Sequence, residues 1–277
     1  MDQIENMATR QEVEKALVLW NISNCPIPDG LDPLMVVERI QAAVEKSGYV
    51  RCNGEISITV IGNNLTEIPG EDVMRKLSSI GISLKNAHEY QMDLYHWAEE
   101  NPAPGTMMLI DRHEQLGWLA GTLFDLENGG FRILLAYSQR DLATPFPCSF
   151  SKEWDWDAFI SDTQETTTTT TSLVVNFSDK MGGSPFFCEV CFVAAQSLED
   201  FTTHLKAAEH AYGEWDRHAS KYNVDRTDRA NLPFGRSEEL DLLLNQDMLR
   251  RKMIKSRRGP LGPLRPQLTF NLTHSKY

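Results

Sequence analysis

The sequence predicts an α/β protein in which helices cover both faces of a parallel central sheet. Short apolar runs alternate with segments of helical periodicity between residues 15 and 160, and repeated βα units of this kind form parallel sheets. Two cysteines followed by two spaced histidines begin at residue 188 and predict a second, smaller unit. With 277 residues, of which 41% are hydrophobic and 24% charged, the chain can bury one sizeable core beside this unit.

The predicted elements follow one another in a regular alternation of strands and helices. An apolar run at residues 16–20 (ALVLW) is typical of a buried strand, and the turn NCPIPDG leads from it to a helix at residues 32–47. Further strands are predicted at residues 55–61, 82–84, 106–110 and 131–137, and further helices at residues 73–80, 89–100 and 114–127. Because ligands of such sheets bind beyond the carboxyl ends of the strands, functional side chains are expected in the loops at residues 21–26, 62–64, 85–88 and 111–113.

Polar segments join and flank the two predicted units. We expect an α/β domain at residues 15–160 and a Cys/His unit at residues 185–213, with a disordered linker at residues 161–184 that contains a run of threonines. Residues 1–14 form a predicted N-terminal tail, and residues 214–277 form a partly helical tail that ends in a disordered, basic stretch.

The charge distribution limits how this chain can bind nucleic acid. A formal net charge of −12 excludes the chain-wide positive field of non-specific nucleic-acid binders, so any such contact must be local. The candidate is the run RRKMIKSRR at residues 250–258, in a C-terminal stretch without Asp or Glu. This run is interpreted as a nuclear-import signal, as a phosphate-binding arm or simply as a solvated tail.

The cysteine content indicates the cellular compartment. There are five cysteines, two of them in a CxxC pair followed by histidines, and the N-terminus lacks an apolar secretory segment. No run approaches the ~18 apolar residues of a membrane-spanning helix. We therefore expect an intracellular protein of the nucleus or cytoplasm that does not contact membranes.

The Cys/His unit has the spacing of a structural metal site. Cys188 and Cys191 are separated by two residues, and His204 and His210 by five. Two thiolates from a knuckle and two imidazoles from one helix face complete a tetrahedral zinc site. The expected helix, residues 198–210, would place Phe201 against Phe187 under the metal, so that zinc binding and folding are coupled in a ββα-type finger.

The wide gap between the histidines resembles that of U1-type or matrin-type Cys2His2 fingers. This resemblance covers the unit around Cys188 to His210 and implies contact with double-stranded RNA or with an RNA–protein surface. A lone finger also lacks the tandem neighbours with which DNA-reading arrays cover successive base pairs. Shape-based RNA contact suits a single finger better.

A second resemblance covers about half of the chain. The blocks VLWNISNCPIPDG (residues 18–30), LSSIGISL (77–84), WAEENPAPGTMMLI (97–110) and GGFRILLA (129–136) are similar to those of NYN domains, PIN-like nuclease modules of the limkain type found in many plant proteins. The resemblance implies a three-layer αβα fold. It also implies RNA cleavage by acidic side chains that hold Mg²⁺ or Mn²⁺ at the carboxyl ends of the strands.

The positions that the resemblance assigns to the acidic site are largely altered. Asn21 replaces the first aspartate, although the accompanying Asn24 is kept, and Asp111 survives from a later motif whose other acid is replaced by His113. Asp93 matches an aspartate on the following helix. One retained carboxylate of the principal set is too little for Mg²⁺, which requires several hard oxygen ligands, so we expect a weak or inactive nuclease.

Some of these side chains have a second interpretation. Asp111, Asp93 and Glu89 could regroup into a new acidic site, together with His88 or His113. Cys25 is more readily explained as a buried thiol than as a nucleophile, because no His–Asp partner pair is evident. Trp154 and Trp156 could stack on bases, but capping of the core is the simpler role.

Three functions follow as alternatives. The first is an RNA-binding regulator of gene expression with weak or no nuclease activity, in which the α/β domain contacts RNA or a protein partner and the finger contacts duplex RNA. The second is an active endoribonuclease that depends on Mg²⁺ or Mn²⁺. The third is a nuclear scaffold whose finger binds DNA or a protein.

Overall fold

The computed structural model describes residues 14–47, 55–138, 146, 150–161 and 184–222, and side chains as far as residue 217. Residues 162–183 of the predicted linker and the basic run at residues 250–258 lie outside these ranges. The strands are β1 (Lys15–Asn21), β2 (Glu55–Gly62), β3 (Ser83–Asn86), β4 (Thr106–Arg112), β5 (Arg132–Ser138), β6 (Lys152–Asp155), β7 (Phe186–Cys188) and β8 (Val193–Ala195). The helices are α1 (Pro33–Lys46), α2 (Glu71–Ser79), α3 (Gln91–Glu100), α4 (His113–Trp118), α5 (Ala120–Asn128), α6 (Trp156–Ser161), α7 (Leu198–Lys206) and α8 (Ala208–Tyr222).

The strands form one sheet with the order β6-β5-β4-β1-β2-β3-β7-β8. All neighbouring strands are parallel except β7 and β8, which form an antiparallel hairpin. The predicted α/β class with a parallel central sheet is therefore confirmed. Strands β1 and β4 lie in the middle, so their carboxyl ends, at Asn21 and Asp111, are adjacent.

Alternating side chains of the strands build two buried layers. In β1, Val18 and Trp20 face a cluster that includes side chains of α1, α2 and α7, whereas Leu17 and Leu19 face a cluster formed with α3, α4 and α5. This period of two is the geometry of an extended strand with both faces covered. Helices thus cover both faces, an arrangement compatible with a three-layer αβα fold.

The sequence signals for the first helix correspond to the structure. Asp32 caps α1 by accepting a hydrogen bond from the backbone N–H of Leu34, and Pro33 occupies the first turn, where its missing N–H costs no hydrogen bond. The apolar positions predicted to face the sheet are all buried: Val36, Val37, Ile40, Ala43 and Val44. Capping and periodicity together therefore set the position of this helix.

Two predicted helices are interrupted in the structure. The helix expected at residues 114–127 consists of α4 and α5, with Leu119 between them. The helix expected at residues 198–210 ends at Lys206, because Ala207 has an extended conformation (φ −71°, ψ 149°) before α8 begins. Only the second interruption has extended backbone, because Leu119 stays in the right-handed helical region (φ −86°, ψ −3°).

The Cys/His segment is not appended at a distance from the sheet. Strand β7 pairs with β3 in parallel, with Leu84 opposite Phe186 and Asn86 opposite Cys188. Phe186 and Phe201 belong to the same buried cluster as Leu84, and the described residues up to His218 form part of one compact unit. This segment continues the central sheet, which the sequence-based boundary at residue 185 did not anticipate.

Within the described ranges, no helix combines the length and the hydropathy that crossing a membrane requires.

Candidate functional site

Four predicted metal-ligand side chains come together beside β7. The ligand atoms of Cys188, Cys191, His204 and His210 all lie within 4.8 Å of one another. Each cysteine Sγ is 3.5 Å from His210 Nδ1. His204 Nε2 is a buried atom without a hydrogen-bond partner. Among the described residues this is the one group of three or more His, Cys, Asp or Glu side chains close enough to share an ion.

The break at Ala207 explains how the two histidines meet. They are six positions apart, and on a continuous helix with about 100° per residue their directions would lie roughly 120° apart. Because His204 belongs to α7 and His210 to α8, the turn between the helices brings the two rings to a centroid distance of 5.2 Å. The expectation that both imidazoles project from one helix face is therefore wrong, although the four side chains do lie together.

The aromatic support of the cluster also differs from the prediction. Phe201 stacks on Phe186, with a centroid distance of 5.6 Å and an interplanar angle of 27°, and not on Phe187. Alternate residues of a strand face the same side of the sheet, so Phe186 and Cys188 share a face and Phe187 points to the other. The two buried phenylalanines anchor the cluster in the main core.

Glu214 of α8 connects this cluster to the carboxyl end of β3. Its Oε1 accepts a hydrogen bond from Asn86 Nδ2 at 3.2 Å and lies 3.6 Å from His210 Nε2, and its Oε2 lies 2.6 Å from His88 Nε2. Asn86 Nδ2 also lies 3.9 Å from Cys188 Sγ. Sequence reasoning missed Glu214, although its position four residues after His210 places it on the same side of a helix.

The electrostatic environment of Cys188 favours its thiolate. The pKa of Cys188 is lowered, chiefly by the hydrogen bond of the Cys191 thiol and further by His204 and His210, whereas burial acts in the opposite direction. A thiolate, not a thiol, is the form that binds a metal ion.

A second polar cluster lies where β1 and β4 end, and Asp111 is at its centre. Its Oδ1 accepts hydrogen bonds from Asn24 Nδ2 at 2.5 Å and from the Arg112 backbone N–H at 2.6 Å. Its Oδ2 accepts from Asn21 Nδ2 at 3.1 Å and from the Tyr90 hydroxyl at 2.7 Å. Asp111 is 1% exposed, so this carboxylate is enclosed and each of its oxygens is bound by two protein donors.

The surrounding contacts hold the two amides in place. Asn24 Oδ1 accepts a hydrogen bond from the Arg112 guanidinium at 2.9 Å, and Asn21 Oδ1 accepts one from the Asn24 backbone N–H at 3.3 Å. Asn21, Asn24 and Asp111 are thus brought together at the sheet end, as predicted. Tyr90 was not among the predicted site residues, and no motif in the sequence indicates it.

Asp93 lies in a separate ion pair. Its two carboxylate oxygens are 2.8 and 2.6 Å from Lys85 Nζ, and the same ammonium lies 3.2 Å from Glu189 Oε2. Both Lys85 and Asp93 are buried. The charge that the resemblance assigns to this position is therefore neutralised by a lysine at the end of β3.

The alternative regrouped acidic site is not formed. Glu89 is exposed, and His88 contacts Glu214. His113 is buried and packs against the rings of Tyr137 and Phe146, with centroid distances of 5.1 and 4.4 Å. The structure therefore gives His113 a packing role.

Burial also determines the ionisation of this region. Desolvation raises the pKa of Asp111 above its usual 3.8, despite hydrogen bonds that lower it, and raises that of Tyr90 well above 10. Burial raises the pKa of Cys25 to about 12, which makes it an inert thiol. Trp156 is likewise buried and packs on Trp20 at a centroid distance of 5.6 Å, as expected for a residue that caps the core.

Comparison of the chain with protein-family models and with curated proteins gave no match. Functional interpretation therefore starts from the two clusters.

Proposed function

We propose that this protein is a zinc-stabilised, RNA-binding regulator built on an NYN-like domain that does not cleave RNA. The observation that carries the proposal is the closed environment of Asp111. A catalytic carboxylate needs free lone pairs for Mg²⁺ or Mn²⁺, and here Asn21, Asn24, Tyr90 and the Arg112 backbone N–H occupy them. The cluster functions as a structural lock between β1 and β4.

The Cys/His cluster supplies the zinc part of the proposal. Two thiolates and two imidazoles are the donor set of a closed tetrahedral zinc site. His204 Nε2 is buried and has no hydrogen-bond partner, as suits an atom that ligates a metal. Cys188, Cys191, His204 and His210 would hold the metal. With all four coordination positions filled by protein side chains, zinc would stabilise the fold and would not catalyse a reaction.

The RNA part of the proposal rests on the sequence. The NYN-like blocks and the matrin-like histidine spacing favour RNA, and the basic run at residues 250–258 favours a partner that carries phosphate. In this proposal the basic run contacts phosphate, and the finger contacts the 2′-hydroxyl groups that distinguish RNA from DNA.

A cleavage and binding experiment tests this function. Wild type and Asp111→Asn are incubated with end-labelled duplex and single-stranded RNA in Mg²⁺ or Mn²⁺, and binding is followed by fluorescence anisotropy in parallel. We expect binding without metal-dependent cleavage, a preference for duplex RNA over duplex DNA, and a smaller salt dependence after deletion of residues 249–277. Cleavage that Asp111→Asn abolishes would show an active nuclease, and a preference for DNA would favour a nuclear scaffold.

A prediction follows for Glu214, which lies beside the metal ligand His210. A carboxylate next to the outer nitrogen of a ligating histidine orients the ring and raises its basicity, and its loss costs about 10–100-fold in metal affinity. We expect Glu214→Gln to weaken zinc binding by that factor in a competition titration with a chromogenic chelator. Glu209→Gln, an exposed glutamate of the same helix, is the matched control. Equal affinities for the two variants would show that Glu214 only joins α8 to the end of β3.

A further inference from the structure

The outward side of α4 and α5 carries large apolar side chains where an exposed helix usually carries charges. Trp118 is 72% exposed and Phe124 is 50% exposed. Gly117 and Gly121 lie on the same side, and a Cβ atom added at either would meet no other atom within 4 Å. Trp118 and Phe124 therefore project from a surface on which Gly117 and Gly121 have no side chains.

This surface continues onto α3. Gln91 Nε2 donates a hydrogen bond to Thr122 Oγ1 at 2.6 Å, and the Tyr95 hydroxyl lies 3.4 Å from the same oxygen. These contacts place α3 beside α5. Met92, which is 60% exposed, follows Gln91 on α3. We call the exposed residues of α3, α4 and α5 the α3–α5 face.

The charge of the α3–α5 face has a single sign. Its exposed acids are Glu99, Glu100, Glu114 and Asp125, and none of the three helices contains a lysine or an arginine. Helices α1 and α2, on the other side of the sheet, each combine acids with one lysine and one arginine. The negative charge is therefore specific to one layer of the fold and does not simply follow from overall composition.

The exposed apolar side chains and the negative charge together indicate which kind of partner this face can bind. Acidic side chains repel nucleic-acid phosphate, so the α3–α5 face does not suit RNA. Two copies of this face would bring acids against acids with no lysine or arginine to pair with them, which disfavours self-association. Exposed apolar side chains bordered by one sign of charge are typical of a site for a protein segment of opposite charge.

We propose that the α3–α5 face docks a basic amphipathic helix of a protein partner. Apolar side chains of that helix pack between Trp118 and Phe124, above Gly117 and Gly121, where the missing side chains allow close approach. Its lysines and arginines pair with the surrounding carboxylates. This is the helix-in-groove mode of recognition, with anchors at helical spacing. It depends on neither the proposed zinc site nor the proposed RNA binding.

The test uses the full chain and a labelled synthetic peptide of leucine and lysine arranged at amphipathic helical spacing. Binding is measured by fluorescence anisotropy against a scrambled peptide of the same composition. We expect Trp118→Ala to weaken binding by about tenfold, as for a central anchor of an interface, and Glu114→Lys to weaken it and reduce its salt dependence. Met35→Ala and Glu38→Lys alter an exposed apolar and an exposed acidic residue of α1 and should leave binding unchanged.

Hydrogen exchange locates the contact independently of affinity. Bound peptide should slow exchange in residues 113–128 and not in α1. Equal binding of the amphipathic and scrambled peptides, or equal losses in the α3–α5 face and α1 variants, would overturn the proposal. Dimerisation of the free chain that Trp118→Ala removes, seen by sedimentation, would identify a second copy as the occupant and would also contradict it.

Discussion

Replacing Cys188 with serine should abolish binding of the proposed zinc ion and destabilise the whole sheet with its helices, not the Cys/His segment alone. Cys188 ends β7, which pairs with β3, and its side chain is buried in the cluster that also contains Trp20 and Trp156. Loss of a structural metal belongs to the few changes that cost more than about 4 kcal/mol. In a folded unit of this size, that corresponds to a fall in Tm of roughly 10 °C or more.

The measurement is thermal unfolding followed by circular dichroism and by tryptophan fluorescence. Trp20 and Trp156 lie in the main core, so coincident transitions at lower temperature would confirm that the Cys/His cluster and the core unfold together. Treatment of the wild type with a chelator to remove the proposed zinc, followed by addition of zinc, gives the same comparison if the variant does not fold. His204→Ala should behave like Cys188→Ser, whereas His96→Ala, at an exposed histidine of α3, should not. A separate low-temperature transition that leaves tryptophan fluorescence unchanged would contradict the prediction.

Asp111→Ala is expected to cause the second large loss of stability. The substitution removes the acceptor for four donors, from Asn21, Asn24, Tyr90 and the Arg112 backbone. A buried donor without an acceptor costs about 1–3 kcal/mol, and we expect a total of about 3–5 kcal/mol because the side chains can relax only in part. Urea unfolding measures this difference. Asp125→Ala, at an exposed aspartate of α5, should change stability by less than about 0.5 kcal/mol.

The same carboxylate should affect how stability depends on pH. Its folded-state pKa is raised above 3.8 by burial, so the folded state binds the proton more tightly than the unfolded state does. Its contribution to stability is therefore fully present below the unfolded pKa and is lost as pH rises through the folded pKa. The free energy of unfolding of the wild type minus that of Asp111→Asn should fall over that interval. A difference that stays constant with pH would mean that Asp111 titrates as it does in the unfolded chain.

The main sheet could be predicted because its signals are local. The run at residues 16–20 indicates a strand that is buried on both faces, and the helical spacing from Val36 to Val44 indicates a helix that is buried on one side. The structure has both. Strand β7 has only three residues, which is too short for a period of two to be visible. Its pairing with β3 depends on contacts a hundred residues away in the chain, which no local pattern encodes.

For the candidate sites, too, the sequence indicated residues but not the side chains that surround them. Spacing identified the four Cys/His side chains, and the resemblance identified Asn21, Asn24 and Asp111. Neither indicated that Tyr90 would complete the environment of Asp111, or that Lys85 would neutralise Asp93. The first contact joins the segment after β3 to the end of β4, two strands that are not adjacent in the sheet, and the second forms across the turn from β3 to α3.

The hairpin formed by β7 and β8 should also protect the protein against aggregation, because it covers the edge of β3. Without it, the backbone N–H and C=O groups of β3 would have no partners on one side, and such an open strand readily pairs with strands of other chains. Phe186 and Phe201 would no longer cover the apolar surface around Leu84. A fragment that stops after α6 should therefore associate into larger species. A fragment that extends through α8 should remain monodisperse.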